Sequence, residues 1–154
     1  MFEVTRIAEE LRLAFEGEAW HGPALLEILA GVNAASAAAR PLTEAHSIWE
    51  LTLHINAWEK VLLRRIAGEA VQLSDEENFP AVHDKSENAW QGALALLKET
   101  HEELIDSVKN LLDTRLTDIV PGKEYDFYFM LHGGAQHIAY HGGQIALLKK
   151  IGQE

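Results

Sequence analysis

Two histidines near the C-terminus, His137 and His141, are the residues best placed to do chemistry in this sequence. Residues four apart lie one above the other on one face of an α-helix, so the two imidazoles can bind one metal ion. His54 lies in an earlier amphipathic segment and can face the same interior. Three neutral imidazoles that leave a coordination position open are typical of catalytic metal sites. The spacing therefore predicts a metal site formed by His54, His137 and His141.

The surroundings of the histidine pair favour this interpretation over a chance spacing. Both histidines continue an apolar stripe of their helix, where an unpartnered polar group is costly to bury. The same segment contains Gly133, Gly134, Gly142 and Gly143, and each glycine inside a helix costs about 1 kcal/mol relative to alanine. We expect close packing or an open cavity there, with a kink or a later helix start at Gly133-Gly134 as the alternative.

The other histidines have ordinary interpretations, since the chain contains eight and i,i+4 pairs also arise by chance. His101 points inward and can be a fourth ligand, a pocket residue or a hydrogen-bonded core residue, of which the last is favoured. The remaining ones fall at predicted helix starts, where they are structural or line the pocket rim (His46, His132), or in solvated loops (His21, His83).

Three further residues are candidates to support the site from outside the ligand set or to line its pocket. Gln144 lies one turn from His141, and Glu50 lies four residues before His54. Glu50 is equally suited to a capping box with Ser47. Trp58, on the same helix as His54, is a core or pocket residue. Nothing in the sequence stands out as a general acid or base.

Apolar residues recur with helical spacing along nearly the whole chain. The spacing and the capping residues predict a single all-α domain over residues 1–154, a four-helix bundle with long connecting loops. Four long helices are expected: from about Val4 to Phe15, from a capping box at Ser47 to Gly68, from a capping box at Asp84–Glu87 to about Leu112, and from Asp126 to about Ile151. A shorter piece is expected from Ala24 to Ala30, and Thr43 is a competing start for the second long helix.

Composition narrows the classes of function. A formal net charge of −11 disfavours nucleic acids and anionic membrane surfaces as partners. The absence of cysteine excludes a cysteine nucleophile and Cys-ligated zinc, and it suits a reducing compartment. The N-terminus lacks the layout of a signal peptide, and the most apolar stretch, residues 28–39, is too short to span a bilayer. We therefore expect a soluble cytoplasmic protein.

Two histidine-containing segments, His46 to Trp58 and Gln136 to Ile145, together with the segment Trp20 to Pro23, resemble the DinB/YfiT-like family. The resemblance covers essentially the whole chain. It implies a DinB-like four-helix bundle whose metal triad falls on His54, His137 and His141. It also implies a divalent ion, commonly zinc or nickel, and frequent dimerisation, so a homodimer is expected.

Characterised members of that family include thiol S-transferases and a thiol-dependent isomerase. The resemblance therefore implies an enzyme that uses its metal to activate a thiol or water for attack on a small electrophile. Because the chain has no cysteine, the thiol must be a low-molecular-weight cosubstrate. The alternative is a metal-stabilised bundle that binds a small ligand or a protein partner and catalyses nothing.

Overall fold

The protein is all-helical, as the apolar spacing predicts. The computed structural model describes residues 2–153, in which no strand forms beyond one isolated bridge between Ile119 and Asp126. Within that range no helix has the length and apolar character needed to cross a bilayer. The helices are α1 (Glu3–Glu16), α2 (Leu25–Leu29), α3 (Ala34–Ala38), α4 (Ile48–Ile66), α5 (Asp75–Asn78), α6 (Glu87–Lys109) and α7 (Phe127–Ile151), with a 3₁₀ turn at Asp113–Thr117.

The four long helices form the bundle. Helix α1 packs against α6 and α7, and α4 packs against the same two helices, so α1 and α4 occupy opposite corners. Each helix contributes apolar side chains that are almost fully removed from water, and this burial is the main favourable term in folding. Leu11, Ile55, Leu104 and Ile138 represent the four helices in that core.

The start of α4 sets the rotation of the helix that contains His54. Ser47 caps it: its hydroxyl accepts a hydrogen bond from the Glu50 amide at 3.2 Å, and its own amide donates to the Glu50 carboxylate at 2.7 Å. This is the predicted capping box, and such a cap contributes about 1 kcal/mol to stability. A fixed first turn places His54 on the interior face, where it is 5% exposed.

The capping box predicted at Asp84–Glu87 is wrong. Ser86 caps α6, because its hydroxyl accepts from the Ala89 amide at 3.2 Å, while Asp84 accepts from the Ser86 amide at 2.9 Å. The Glu87 carboxylate does not reach back to its own helix start. It accepts from the Ala34 amide at 2.8 Å, at the N-terminus of α3. The Glu87 carboxylate therefore caps a helix that is distant in sequence instead of its own.

The connections between the long helices contain short helices that the sequence pattern did not predict. Helix α3 lies in the first connection and α5 lies between α4 and α6. The third long helix ends at Lys109 instead of Leu112, and the 3₁₀ turn follows. Asp113 begins that turn and its carboxylate accepts from the Glu3 and Val4 amides, both at 3.0 Å. The connection thereby satisfies the exposed amides at the start of α1.

Helix α7 is continuous through its glycines, so it does not start later at Gly133-Gly134. Gly134 is a close-packing position: a Cβ there would lie 2.8 Å from Leu62 Cδ1 and 3.3 Å from Leu11 Cδ2. At Gly133 a Cβ would meet no atom within 4 Å, and this residue borders a cavity instead. The sequence predicted close packing or an open cavity at these glycines. The structure has close packing at Gly134 and open space at Gly133.

Candidate metal centre

The three histidines selected by spacing converge at one point between α4 and α7. His54 Nε2 lies 3.1 Å from His137 Nε2 and 3.0 Å from His141 Nε2. His54 and His141 are buried and His137 is half-buried. In the described part of the chain this is the group of side chains whose ligand atoms lie close enough together to hold one metal ion.

Hydrogen bonds on the far side of two rings fix where their protons lie. His54 Nδ1 is 2.7 Å from the backbone carbonyl oxygen of Asn78, which can only accept, so Nδ1 bears the proton. His141 Nδ1 donates in the same way to Gln144 Oε1 at 2.7 Å. In neutral imidazoles the opposite nitrogens, Nε2, are then unprotonated. Two lone pairs therefore face each other at 3.0 Å, an arrangement that repels unless a cation lies between them.

Protonation of the rings does not relieve this repulsion at neutral pH. Burial lowers the pKa of His54 and that of His141 below the ordinary value of 6.5. Burial, reinforced by the neighbouring His141 and His54, lowers the pKa of His137 to about 3. The three side chains are therefore neutral imidazoles at pH 7, which is the protonation state that ligates metal.

The arrangement fits a small divalent ion. Nitrogens about 2.0–2.1 Å from a tetrahedral ion lie roughly 3.3–3.4 Å from one another, close to the 3.0 and 3.1 Å found here. Imidazole nitrogen suits zinc and nickel alike, so the donor set agrees with either. Three converging nitrogens leave at least one coordination position for an exogenous ligand.

Aromatic side chains and the short helix α5 enclose the site. Phe79, just after α5, stacks on the His54 ring at 4.1 Å and on the exposed His46 at 3.8 Å. Asn78 contacts two residues of α4, since its backbone oxygen accepts from His54 and its side chain accepts from Trp58 Nε1 at 2.8 Å. The loop between α4 and α6 thus holds both the position and the tautomer of His54.

Of the other residues predicted from the sequence, two contact the triad and two do not. Gln144 bonds to His141, and Trp58 packs edge-on to His54 with ring centroids 6.4 Å apart. Glu50 hydrogen-bonds to Ser47 and Arg40, and His46 Nδ1 lies 3.9 Å from its Oε2, so Glu50 serves the helix cap rather than the triad. His101 is a hydrogen-bonded core residue, as favoured, and lies outside the triad.

The four remaining histidines also lie outside the triad. One of them, His46, is exposed and stacks on Phe79. His132 pairs with Glu10 at 2.6 Å, whereas His21 and His83 are exposed, as expected for loop residues.

A cavity of about 360 Å³ adjoins the triad. Its lining is mostly apolar and includes His54 and His137 as well as Arg65 and Tyr125. Arg65 lies about three helical turns beyond His54 on α4, and it hydrogen-bonds to Tyr125. Gly133 contributes open space because it has no side chain. The volume lies within the range of pockets that bind small molecules.

The sequence did not predict two charged residues of α4 that line this cavity, Glu59 and Arg65. Each is 2% exposed. Glu59 Oε1 is 2.7 Å from His101 Nδ1, its Oε2 has no partner, and burial raises the pKa of this carboxyl. Their spacing could have indicated that both face inward. Glu59 follows Ile55 by four residues and Arg65 follows Leu62 by three, so both continue the apolar stripe of α4.

Comparison with known protein families agrees with the geometry. Residues 19–145 match the DinB superfamily. The chain belongs to this superfamily. The matched range contains His54, His137 and His141, and the all-helical bundle is consistent with a DinB-like fold. No curated protein and no solved structure matched the chain. Superfamily membership and the three converging histidines are together compatible with a metal-binding site.

Proposed function

We propose that this DinB-superfamily protein is a divalent-metal-dependent enzyme that activates a thiol cosubstrate or water for attack on a small electrophile. The observation that carries the proposal is the pair of unprotonated Nε2 atoms of His54 and His141, which face each other at 3.0 Å. Lone pairs in that arrangement need a cation. A divalent ion held by the three histidines would supply a Lewis acid that lowers the pKa of a bound thiol or water.

The adjoining cavity supports catalysis over a purely structural metal. A structural site is closed by protein ligands, whereas a catalytic site keeps an open position. Here three histidines converge, and two of them, His54 and His137, border a cavity of about 360 Å³. An electrophile bound in that cavity would lie beside the activated nucleophile.

Residues around the triad have defined parts in this proposal. Asn78 and Gln144 hold the Nδ1 protons of His54 and His141, so that each Nε2 stays free to bind. Phe79 covers one face of His54 and limits access of water from that side. Trp58 and the apolar cavity wall would position the substrate. The preference for a thiol over water rests on the family resemblance, and zinc and nickel are the ions we expect.

The proposal is tested by turnover of low-molecular-weight thiols with small electrophiles, using protein purified without an affinity tag. We expect thiol-dependent turnover that is abolished by chelation, restored by zinc or nickel, and lost in His141→Ala. Gln72→Ala, an exposed change in the loop after α4, is the matched control. A confirmed activity that survives both chelation and His141→Ala would show that the metal is not the catalyst.

We also propose that the protein is a homodimer, on the strength of the family resemblance. Several large apolar side chains are exposed, among them Trp20, Tyr140 and Leu147, and a second copy could cover part of this surface. Closed two-fold dimers are the commonest homo-oligomers. Sedimentation velocity should give a dimer, and a monomer throughout the micromolar range would contradict this expectation.

A further inference from the structure

Arg65 is a buried cation whose hydrogen bonds within residues 2–153 go to neutral oxygens. Its Nη1 donates to Tyr125 Oη at 3.1 Å and its Nη2 donates to the Val71 carbonyl at 2.9 Å. Its Nε has no partner, although the side chain is 2% exposed. A guanidinium has five N–H donors, so most of the hydrogen-bonding capacity of Arg65 is unused.

A guanidinium this deeply buried is costly unless a negative charge accompanies it. Desolvating an ion costs several kcal/mol, and arginine cannot shed its proton to avoid this cost. Glu59 is the carboxylic acid that shares the cavity wall, but it hydrogen-bonds to His101 instead. Burial also raises the pKa of Glu59, which disfavours its negative form.

The neighbouring arginine shows what an ordinary arginine does in this chain. Arg64 is exposed and pairs with Glu69, with Nη2 2.8 Å from Oε2. Acidic residues outnumber basic ones by 24 to 13, so carboxylates are plentiful at the surface. Arg65 turns inward, away from them, and its guanidinium lies 5.8 Å from the centre of the Trp58 ring.

We propose that Arg65 binds the carboxylate of an elongated, largely apolar ligand that fills the cavity and extends toward His54 and His137. Arg65 lies about three helical turns beyond His54 on α4, and both residues line the cavity together with Tyr125 and His137. Side chains such as Leu62, Met130 and Ile138 form its apolar walls. The planar fork of arginine matches a carboxylate in two parallel hydrogen bonds.

The charge and shape of the cavity favour a single carboxylate over a more highly charged group. Arg65 is the one cationic side chain among the residues described as lining it, and it can neutralise a single negative charge. Phe129, which is 65% exposed, borders the cavity and marks an entrance from solvent. That this ligand is the electrophilic substrate rests on the proposed function, whereas its binding at Arg65 does not.

The first test compares two probes that differ in charge, octanoate and octanamide, by titration calorimetry on the full chain. Measurements are made as purified and after treatment with a chelator, so that binding through a metal is recognised. A hydrogen bond to a charged group favours octanoate by about tenfold or more. Equal affinity for the two probes, or a preference for octanoate that disappears on chelation, would overturn the assignment to Arg65.

The second test uses matched substitutions of adjacent arginines. We expect Arg65→Gln to reduce the preference for octanoate about tenfold or more, and Arg64→Gln to leave it unchanged. Thermal melts verify that both variants fold. If Arg65→Gln does not fold, the comparison of octanoate and octanamide on the wild-type chain remains decisive. An undiminished preference in folded Arg65→Gln would refute the proposal.

Metal content measured on the same samples separates this inference from the proposed function. A chain that binds no metal but keeps an Arg65-dependent preference for octanoate would refute the metal enzyme and support the carboxylate site. A chain that binds metal and shows no such preference would support the metal site and refute the carboxylate site.

Discussion

Two groups of buried polar side chains, both with a member on α4, differ in how their atoms are satisfied. The histidine triad lies between α4 and α7, and the Glu59–His101 pair lies between α4 and α6. In the triad, two of the three rings have a hydrogen-bond partner on the outer nitrogen and aim the inner one at a shared point. In the pair, His101 bonds to one carboxyl oxygen and its Nε2 has no partner.

The difference shows that burial does not by itself identify a candidate metal ligand. His101 is 1% exposed, less than His54 at 5%, and it lies on an inward face of its helix as well. His101 stacks on Phe15 with ring centroids 3.7 Å apart and its acidic partner keeps it in place. Convergence of free nitrogens, fixed by partners behind the rings, distinguishes the triad.

The largest expected effect contrasts one histidine from each group. His141→Ala removes a ligand and should reduce the metal content of protein purified without a tag from about one ion per chain to nearly none. His101→Gln should retain the full amount, because its side chain is outside the triad. Elemental analysis by mass spectrometry measures both. If His101→Gln also lost its metal while remaining folded, the two groups would be coupled and the contrast would fail.

Removal of metal should destabilise the fold through the triad alone. An ion that binds only the folded chain stabilises it by about 4 kcal/mol at a concentration a thousand times its dissociation constant. We therefore expect chelation to lower the melting temperature of the wild-type protein and of His101→Gln. The melting temperature of His141→Ala should not respond, and calorimetric scans with and without zinc provide the measurement. An equal response in His141→Ala would place the stabilising ion elsewhere.

Gln144 supports the triad through one hydrogen bond, so its loss should have a smaller effect. Gln144→Ala removes the acceptor that fixes the tautomer of His141, and loss of such a partner typically weakens metal binding 10- to 100-fold. Competition with a fluorescent zinc chelator measures the affinity. Gln136→Ala, on the exposed face of the same helix, should bind zinc like the wild type. An unchanged affinity in Gln144→Ala would show that this hydrogen bond does not tune the site.

The sequence predicted the parts of this protein that depend on local chemistry. Helical spacing identified the long helices, and an i,i+4 pair with one distant histidine selected the three rings that converge. The capping box at Ser47 was predicted from four consecutive residues and is confirmed.

What the sequence did not predict depends on contacts between distant segments. Glu87 reaches α3 instead of its own helix start, and the backbone oxygen of Asn78 orients His54 from a stretch predicted to be a loop. A backbone acceptor leaves no trace in residue type. Glu59 and Arg65 were visible as charges in an apolar stripe, but only the packed helices show that they border one cavity.

The smallest expected effect is a pH dependence that comes from the buried carboxyl of Glu59. Burial raises the pKa of Glu59 above its ordinary value of 4.5, and His101 is the titratable group that it contacts. The folded chain therefore keeps a proton here at pH values where the unfolded chain has released it. The resulting stabilisation is complete below pH 4.5 and is lost as pH rises through the folded pKa.

Glu59→Gln isolates this contribution, because glutamine can still accept a hydrogen bond from His101 but does not titrate. One proton gives a slope of up to about 1.4 kcal/mol per pH unit. Urea unfolding between pH 4 and 8 should therefore show that the wild type loses stability relative to Glu59→Gln as pH rises. Glu103→Gln, an exposed change on α6, should keep the wild-type pH dependence. Parallel curves for the wild type and Glu59→Gln would mean that this carboxyl ionises equally easily in the folded and unfolded chains, and that the unpartnered Oε2 is stabilised by water.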